Sequence, residues 1–383
     1  MDYNKKFDDI APLYDEEVEQ AIKDLLEDPG FKHAVGYIIP DTNWDDFCKE
    51  MSKYKTKKDF QTTIIFQTIW ALGNRTTDGF TLEGSETIDR TKEHLFLSNH
   101  RDIVLDAGFL NILRHDAGFE TTEIAIGDNL LIHPWIDKLV RLNKSFIVRR
   151  GLGVREQLMA SKHMSEYIHY AINEKNESIW MAQREGRAKD SNDQTQESLL
   201  KMLTLYSSDA TFIGKLKELN IIPLSLSYEY DPCDYLKAKE FQLKRDNPEY
   251  KKSQRDDLVN MENGILGYKG RVVFRYGKCI NPELDKISEP DKRKQIEIAA
   301  RLIDKEIYLN YEFYPCNYIA YDLLHNDSRF ADKYTEDQVT DFKSYIASQL
   351  DKIDEIEVKD LDFLRAKMLE MYSNTLRNHL SVC

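Results

Sequence analysis

The chain has 383 residues, of which 41% are hydrophobic and 31% are charged. This suits one large folded domain with appended segments, or two to three smaller domains. The formal net charge of −14 argues against nucleic acid as a partner and against adhesion of the whole surface to anionic lipid. The five cysteines are scattered and form no Cys-x-x-Cys pair, which predicts a reducing compartment without a disulfide framework or a zinc site.

The N-terminal region, residues 1–85, is typical of helices interrupted by turn residues. Breaks are expected at Asp28-Pro29-Gly30 and at Pro40-Asp41. The first residues, MDYNKKFDDIAPLYDEE, are acidic and polar, unlike a signal peptide. No apolar run reaches the roughly 18 residues of a membrane-spanning helix. We interpret this region as a helical lid or buttress beside another domain.

From about residue 90 onward, short apolar runs alternate with helical patterns. Strands are predicted at 94–100, 121–127, 144–150, 178–183, 220–230 and 269–280, the last a candidate for the edge of the sheet. Helices are predicted at 102–115 and 154–175. The alternation predicts an α/β domain over 86–285 with a mixed central sheet flanked by helices. Within it, 240–262 is a charged insertion, and 286–383 is a helical C-terminal appendage.

Polar residues follow the first of these strands in the segment SNHRDIVLDA, residues 98–107. His100 lies between a strand and a helix, with Asp102 and Asp106 close behind. A carboxylate that holds a histidine fixes the tautomer and stabilises the imidazolium, as a general base requires. Taken alone, the segment also fits a surface or helix-capping histidine.

Three further strand ends carry residues suited to anion binding or to shaping a pocket. Arg149 and Arg150 can present guanidinium groups to a phosphate. Glu185-Gly186-Arg187 combines a flexible turn with an anion-binding arginine, and Glu185 can orient that arginine or take a substrate hydroxyl. Pro223 is unusual inside an apolar strand. Taken singly, these segments also fit a basic turn, a charged loop and a strand start.

The four segments resemble, in their order along the chain, the four motifs of the glycerolipid acyltransferase family, which includes glycerol-3-phosphate and lysophosphatidate acyltransferases. Those motifs are Asn-His followed by an Asp, an arginine after a strand, Glu-Gly-x-Arg or Glu-Gly-Arg-Ser, and a proline in an apolar strand. The resemblance covers roughly residues 85–285. In the third motif, Ala188 stands where the family has a serine.

The first motif departs from the family spacing. Five residues separate His100 from Asp106, where the family has four, and one residue separates it from Asp102. At about 100° per residue, six helical steps would place His100 and Asp106 about 120° apart. We therefore expect His100 in the loop before the helix, bending back toward Asp106. Asp102 is the alternative partner and is otherwise a helix cap.

The resemblance implies acyl transfer from a thioester, acyl-CoA or acyl carrier protein, to a hydroxyl of glycerol-3-phosphate or lysophosphatidate in phospholipid synthesis. His100 and Asp106 would form the catalytic pair. Arg149, Arg150, Glu185, Gly186 and Arg187 would bind the substrate. No cofactor or metal is implied. Another hydroxyl acceptor, or a non-catalytic lipid-binding protein of the same fold, is the alternative.

A basic island runs against the overall acidic charge. Between Lys138 and Arg155 there are six basic residues and no acidic one. Such a cluster attracts anionic lipid head groups. Together with the resemblance, it predicts a cytoplasmic protein that associates peripherally with the inner face of a membrane and is released by high salt.

Overall fold

A seven-stranded sheet forms the centre of the computed structural model, which describes residues 3–383. The strands are β1 (Phe80–Glu83), β2 (Leu95–Ser98), β3 (Glu123–Gly127), β4 (Ser145–Val148), β5 (Ile179–Ala182), β6 (Ile222–Tyr228) and β7 (Val272–Tyr276). Their order across the sheet is β1-β7-β6-β2-β5-β3-β4. Strands β2 to β6 are mutually parallel, whereas β7 pairs antiparallel with β6 and parallel with β1. The predicted α/β class with a mixed sheet is confirmed.

Helices precede, cover and follow this sheet. Before and among the strands lie α1 (Tyr3–Lys6), α2 (Val18–Glu27), α3 (Pro29–Ile38), α4 (Trp44–Met51), α5 (Lys57–Phe60), α6 (Phe66–Thr76), α7 (Leu105–Asp116), α8 (Pro134–Leu142) and α9 (Val154–Asn173). The others are α10 (Glu197–Leu203), α11 (Phe212–Lys217), α12 (Asp234–Asp246), α13 (Gln254–Leu266), α14 (Asn281–Leu284), α15 (Lys292–Leu309), α16 (Pro315–His325), α17 (Glu336–Asp351) and α18 (Leu361–Leu380). A π-helical turn, Gln61–Ile65, joins α5 to α6.

Both faces of the sheet are buried, which explains why its strands are continuous apolar runs rather than alternating ones. Successive side chains of β2 point to opposite faces. Leu95 and Leu97 enter the core formed with α9, α10 and α15, whereas Phe96 enters the core formed with α6 and α7. All three are fully buried, and each such side chain contributes about 1.5–3 kcal/mol to folding.

The candidate edge strand is not at the edge. Strand β7 lies between β1 and β6, and the edges of the sheet are β1 and β4. The prediction was wrong because β1 lies in the region that the sequence assigned to helices, so its pairing with β7 was not anticipated. Pro223 is the second residue of the internal strand β6, and its carbonyl accepts a hydrogen bond from the Gly277 N–H at 2.8 Å.

The terminal helices build cores of their own. Helices α2 to α4 share an apolar cluster with α8, and α16 to α18 share another with α12. Two elements lie outside the predicted α/β domain, 86–285, yet pack with its sheet. Strand β1 belongs to the sheet, and α15 packs on it through Ile303 and Ile307, both fully buried. Among residues 3–383, no helix is both long enough and apolar enough to cross a bilayer.

Candidate active site

The candidate residues lie along the side of the sheet formed by the carboxyl ends of its parallel strands, where α/β proteins place their chemistry. We call this side the functional edge of the sheet, as distinct from the edge strands β1 and β4. His100 follows β2 and precedes the first residue of α7, Leu105. Asn99 fixes the start of this loop against β6. Its side-chain amide donates to the Leu226 carbonyl at 2.9 Å, and its oxygen accepts the Leu226 N–H at 2.8 Å. The histidine is thus held by a clamp between two neighbouring strands.

His100 contacts the carboxylate of Asp106. The His100 Nδ1 atom lies 2.7 Å from Asp106 Oδ2, and the two side chains are 14% and 0% exposed. Two other donors point at this carboxylate: the Arg101 N–H at 2.7 Å and the Tyr228 hydroxyl at 2.9 Å. An ionised carboxylate only accepts, so Nδ1 carries the proton and Nε2 is the basic nitrogen. Within residues 3–383, Nε2 makes no hydrogen bond.

Asp102 has a different environment. Its Oδ1 accepts hydrogen bonds from the Val104 N–H at 2.9 Å and the Leu105 N–H at 2.7 Å, which caps the start of α7. Burial, followed by the charge of Asp106, raises the pKa of Asp102 above its usual value. Gly264 of α13 lies so close that a Cβ atom there would come within 2.0 Å of Asp102 Oδ2. Of the two carboxylates, that of Asp106 contacts His100, whereas that of Asp102 caps helix α7.

The two arginines after β4 point to different neighbours. Arg149 is exposed, and its guanidinium donates to the Asp9 carbonyl at 3.2 Å. The Arg150 Nη1 atom lies 3.6 Å from Glu185 Oε1 in the loop after β5. The second and third motifs therefore meet through Arg150, not Arg149.

Arg187 is directed inward from the loop after β5. Its Nη2 donates to Asn260 Oδ1 at 3.0 Å, whereas its Nη1 is buried without a hydrogen-bond partner in residues 3–383. Burial lowers the pKa of Arg187, but the nearby Cys233, Asp231 and Asp102 outweigh burial and leave the pKa raised. The guanidinium therefore remains charged and has a donor to spare for an anion.

Gly186 gives this loop the turn that directs Arg187 inward. Its φ of 67° lies in the left-handed region, where a residue with a Cβ atom is strained. Glu185, on the other side of the glycine, is exposed and faces Arg150.

A buried ion pair, which no local sequence pattern predicted, joins the His100 loop to the loop after β5. Arg101 forms two parallel contacts with the Asp193 carboxylate, at 3.0 and 2.5 Å. The Tyr311 hydroxyl donates to the same carboxylate at 2.6 Å. Removing one partner of such a pair typically costs about 3–5 kcal/mol, because the other charge is left buried and alone.

Two other residues of the site were missed. Tyr228 is the last residue of β6 and lies within the predicted strand 220–230, and the meeting of parallel strand ends was the available signal for its place beside Asp106. Asn260 lies in the segment that we interpreted as a charged insertion, and no local pattern marked it. Within the described part of the chain, no three His, Cys, Asp or Glu side chains are grouped so as to hold a metal ion.

Comparison with known proteins gives a family match. The family model described as Acyltransferase matches residues 79–219, which include His100, Asp106, Arg150 and Arg187. No curated protein sequence matches the chain.

Among solved structures, the chain is similar to the 1-acyl-sn-glycerophosphate acyltransferase PlsC from Thermotoga maritima. The sequence identity is 11%, the TM-score is 0.36, and the match covers 76% of this chain and 97% of that one. At that score the structural likeness carries no argument, and the family model matches less than half of the chain, residues 79–219.

Proposed function

We propose that the chain, whose residues 79–219 match the Acyltransferase family model, is a glycerolipid acyltransferase that acylates a phosphate-bearing glycerol acceptor. The donor is a fatty acyl thioester, acyl-CoA or acyl carrier protein, and the acceptor is glycerol-3-phosphate or lysophosphatidate. The observation that carries the proposal is the 2.7 Å contact between His100 Nδ1 and Asp106, which leaves Nε2 as a base at the functional edge of the sheet.

In the proposed reaction, His100 Nε2 takes the proton of the acceptor hydroxyl as its oxygen attacks the thioester carbonyl carbon. A carbon–oxygen bond forms, the tetrahedral intermediate collapses, and the carbon–sulfur bond breaks. The departing thiolate receives the proton from the imidazolium. Asp106 stabilises that imidazolium, and the hydrogen bonds from Arg101 N–H and Tyr228 keep the carboxylate in place.

Arg187 is the proposed site for the acceptor phosphate. Its unpartnered buried Nη1 offers a charge-assisted hydrogen bond, and Arg150 adds a second positive charge from the neighbouring loop. Holding the phosphate places the hydroxyl near His100, and such positioning lowers the barrier by several kcal/mol. The product is a lipid, so the proposal includes peripheral association with the cytoplasmic face of a membrane.

Thiol release from palmitoyl-CoA by the purified chain tests this function. We expect little release without an acceptor and rapid release with glycerol-3-phosphate or lysophosphatidate, since the attacking oxygen belongs to the acceptor. Glycerol without the phosphate should be a poor substitute. Equal release with and without acceptor would instead identify a thioesterase. No release from acyl-CoA or acyl carrier protein with any acceptor would refute acyl transfer.

Arg187→Ala should raise the KM for the phosphate acceptor about tenfold or more, because a lost charge-assisted contact is worth about 1.5–3 kcal/mol. The KM for the thioester should change little. Arg301→Ala is the matched control, since Arg301 is an exposed arginine on α15 that pairs with Glu297. A melting curve of each variant separates lost binding from lost folding. A rise confined to the thioester KM would assign Arg187 to the donor instead.

A further inference from the structure

The first turns of α9 and the short segment just before the helix present apolar side chains to solvent. Leu152 is 39% exposed, Val154 92%, Leu158 60% and Met159 65%. Single exposed apolar residues are ordinary on a protein surface, but four within eight residues form a continuous patch. Later in the same helix, apolar side chains such as Ile168 are fully buried in the core. The patch is therefore a property of the start of α9 and not of the whole helix.

Helical geometry places the patch on one side of α9. Val154 and Leu158 are four residues apart, as are Arg155 and Met159, so these side chains share one face with the exposed Lys162. We call Leu152, Val154, Arg155, Leu158, Met159 and Lys162 the α9 face. Its charged members are both basic. Glu156, the one acidic residue between Arg149 and Ser165, lies on another side of the helix and accepts a hydrogen bond from the Gly153 N–H at 3.4 Å.

Ion pairs neutralise part of the positive charge of the basic island Lys138–Arg155. Lys138 pairs with Asp24, Arg141 with Asp137 at 3.0 Å, and Lys144 with Glu177 at 2.6 Å. These carboxylates offset the first half of the island. The positive charge that remains toward solvent begins at Arg149 and continues along the α9 face.

We propose that the α9 face docks on a bilayer that contains anionic lipid, with its apolar side chains entering the head-group region. This proposal rests on the proposed function in one respect: docking would serve to bring a membrane-resident acceptor to the active site. A helix face with protruding apolar residues and flanking Arg and Lys is typical of interfacial binding. Basic side chains also extend along such a surface with their stems in apolar contact and their charges at the phosphates.

Shape and position favour a bilayer over a protein partner. Val154 is almost fully exposed and projects outward, whereas a docking groove would recess its apolar residues. The chain as a whole has a net charge of −14 and is repelled by anionic lipid, so it approaches such a bilayer best through a locally basic face like this one. Arg150, which precedes the face, contacts Glu185 beside the candidate active site. Docking there brings the functional edge of the sheet to the lipid.

Sedimentation of the full chain with vesicles tests the proposal. The probes are pure phosphatidylcholine vesicles and vesicles rich in phosphatidylglycerol. The test variant is Val154→Asp with Leu158→Asp. The matched control is Val358→Asp with Leu361→Asp, because that valine and leucine are 76% and 49% exposed before and at the start of α18.

We expect the wild type and the control to bind phosphatidylglycerol-rich vesicles alike. The test variant should bind these vesicles at least about tenfold more weakly. Arg155→Glu should weaken binding to the anionic vesicles, with little change on phosphatidylcholine. Wild-type binding by the Val154/Leu158 variant would overturn the proposal. The proposal would also be overturned if this variant lost turnover only with acyl carrier protein donors in the absence of vesicles. A change in the oligomeric state of the variant would overturn it as well. Vesicle binding requires no turnover, so this result stands apart from the test of acyl transfer.

Discussion

His100→Ala should reduce kcat for acyl transfer about 10³-fold, within the roughly 10²–10⁴-fold that a positioned general base supplies. The variant loses the nitrogen that accepts the hydroxyl proton, while Asp106 and the arginines remain. The variant should stay folded, because His100 lies in a loop and its removal leaves no large core cavity.

The measurement is the acceptor-dependent release of thiol from palmitoyl-CoA under saturating substrate. His33→Ala is a suitable control, since His33 is an exposed histidine on α3. The melting temperature of both variants should stay close to that of the wild type. Wild-type turnover by the folded His100 variant would end the general-base mechanism.

Asp106→Asn should lower kcat about 10³-fold or more while leaving the protein folded. The amide keeps the shape of the side chain but loses the charge that stabilises the imidazolium. It also cannot accept hydrogen bonds at both positions, although three donors point at this group: His100 Nδ1, Arg101 N–H and Tyr228. The histidine can then adopt the tautomer with its proton on Nε2, which cannot act as a base.

Asp102→Asn is the matched control for that variant. Asparagine caps a helix about as well as aspartate, and its oxygen can accept the two hydrogen bonds from Val104 and Leu105. We therefore expect kcat to fall less than about threefold. The same assay measures both variants. If the two effects were exchanged, Asp102 would be the partner of His100 during turnover, contrary to the contact in the structure.

Six of the seven strands, all except β1, and their polar ends could be predicted from the sequence because both are local properties. A buried parallel strand is an apolar run, and the change to polar residues marks its end. In this way His100, Arg150 and Arg187 were located at strand ends, and the motif order indicated the acyltransferase family, which the match over 79–219 supports. Parallel strands bring such ends together, so the shared edge followed from the pattern.

The partners of these residues depended on contacts between distant parts of the chain. The spacing of His100, Asp102 and Asp106 left either aspartate as a possible partner of the histidine. Asp106 is the partner because the His100 loop is clamped to β6 and because Tyr228, 122 residues beyond Asp106, donates to its carboxylate. Arg150 and Arg149 are adjacent in sequence, yet only Arg150 faces Glu185.

The sequence by itself therefore determined the α/β class and the strand ends that carry the polar groups, because hydrophobic periodicity and short motifs encode them locally. Tertiary structure decided which carboxylate meets His100, which arginine keeps a free donor, and which basic residues remain unneutralised. It also placed β1 and α15 with the sheet. These outcomes depend on burial and on hydrogen-bond and ion-pair partners that are far apart in the chain, and local spacing contains no information about such partners.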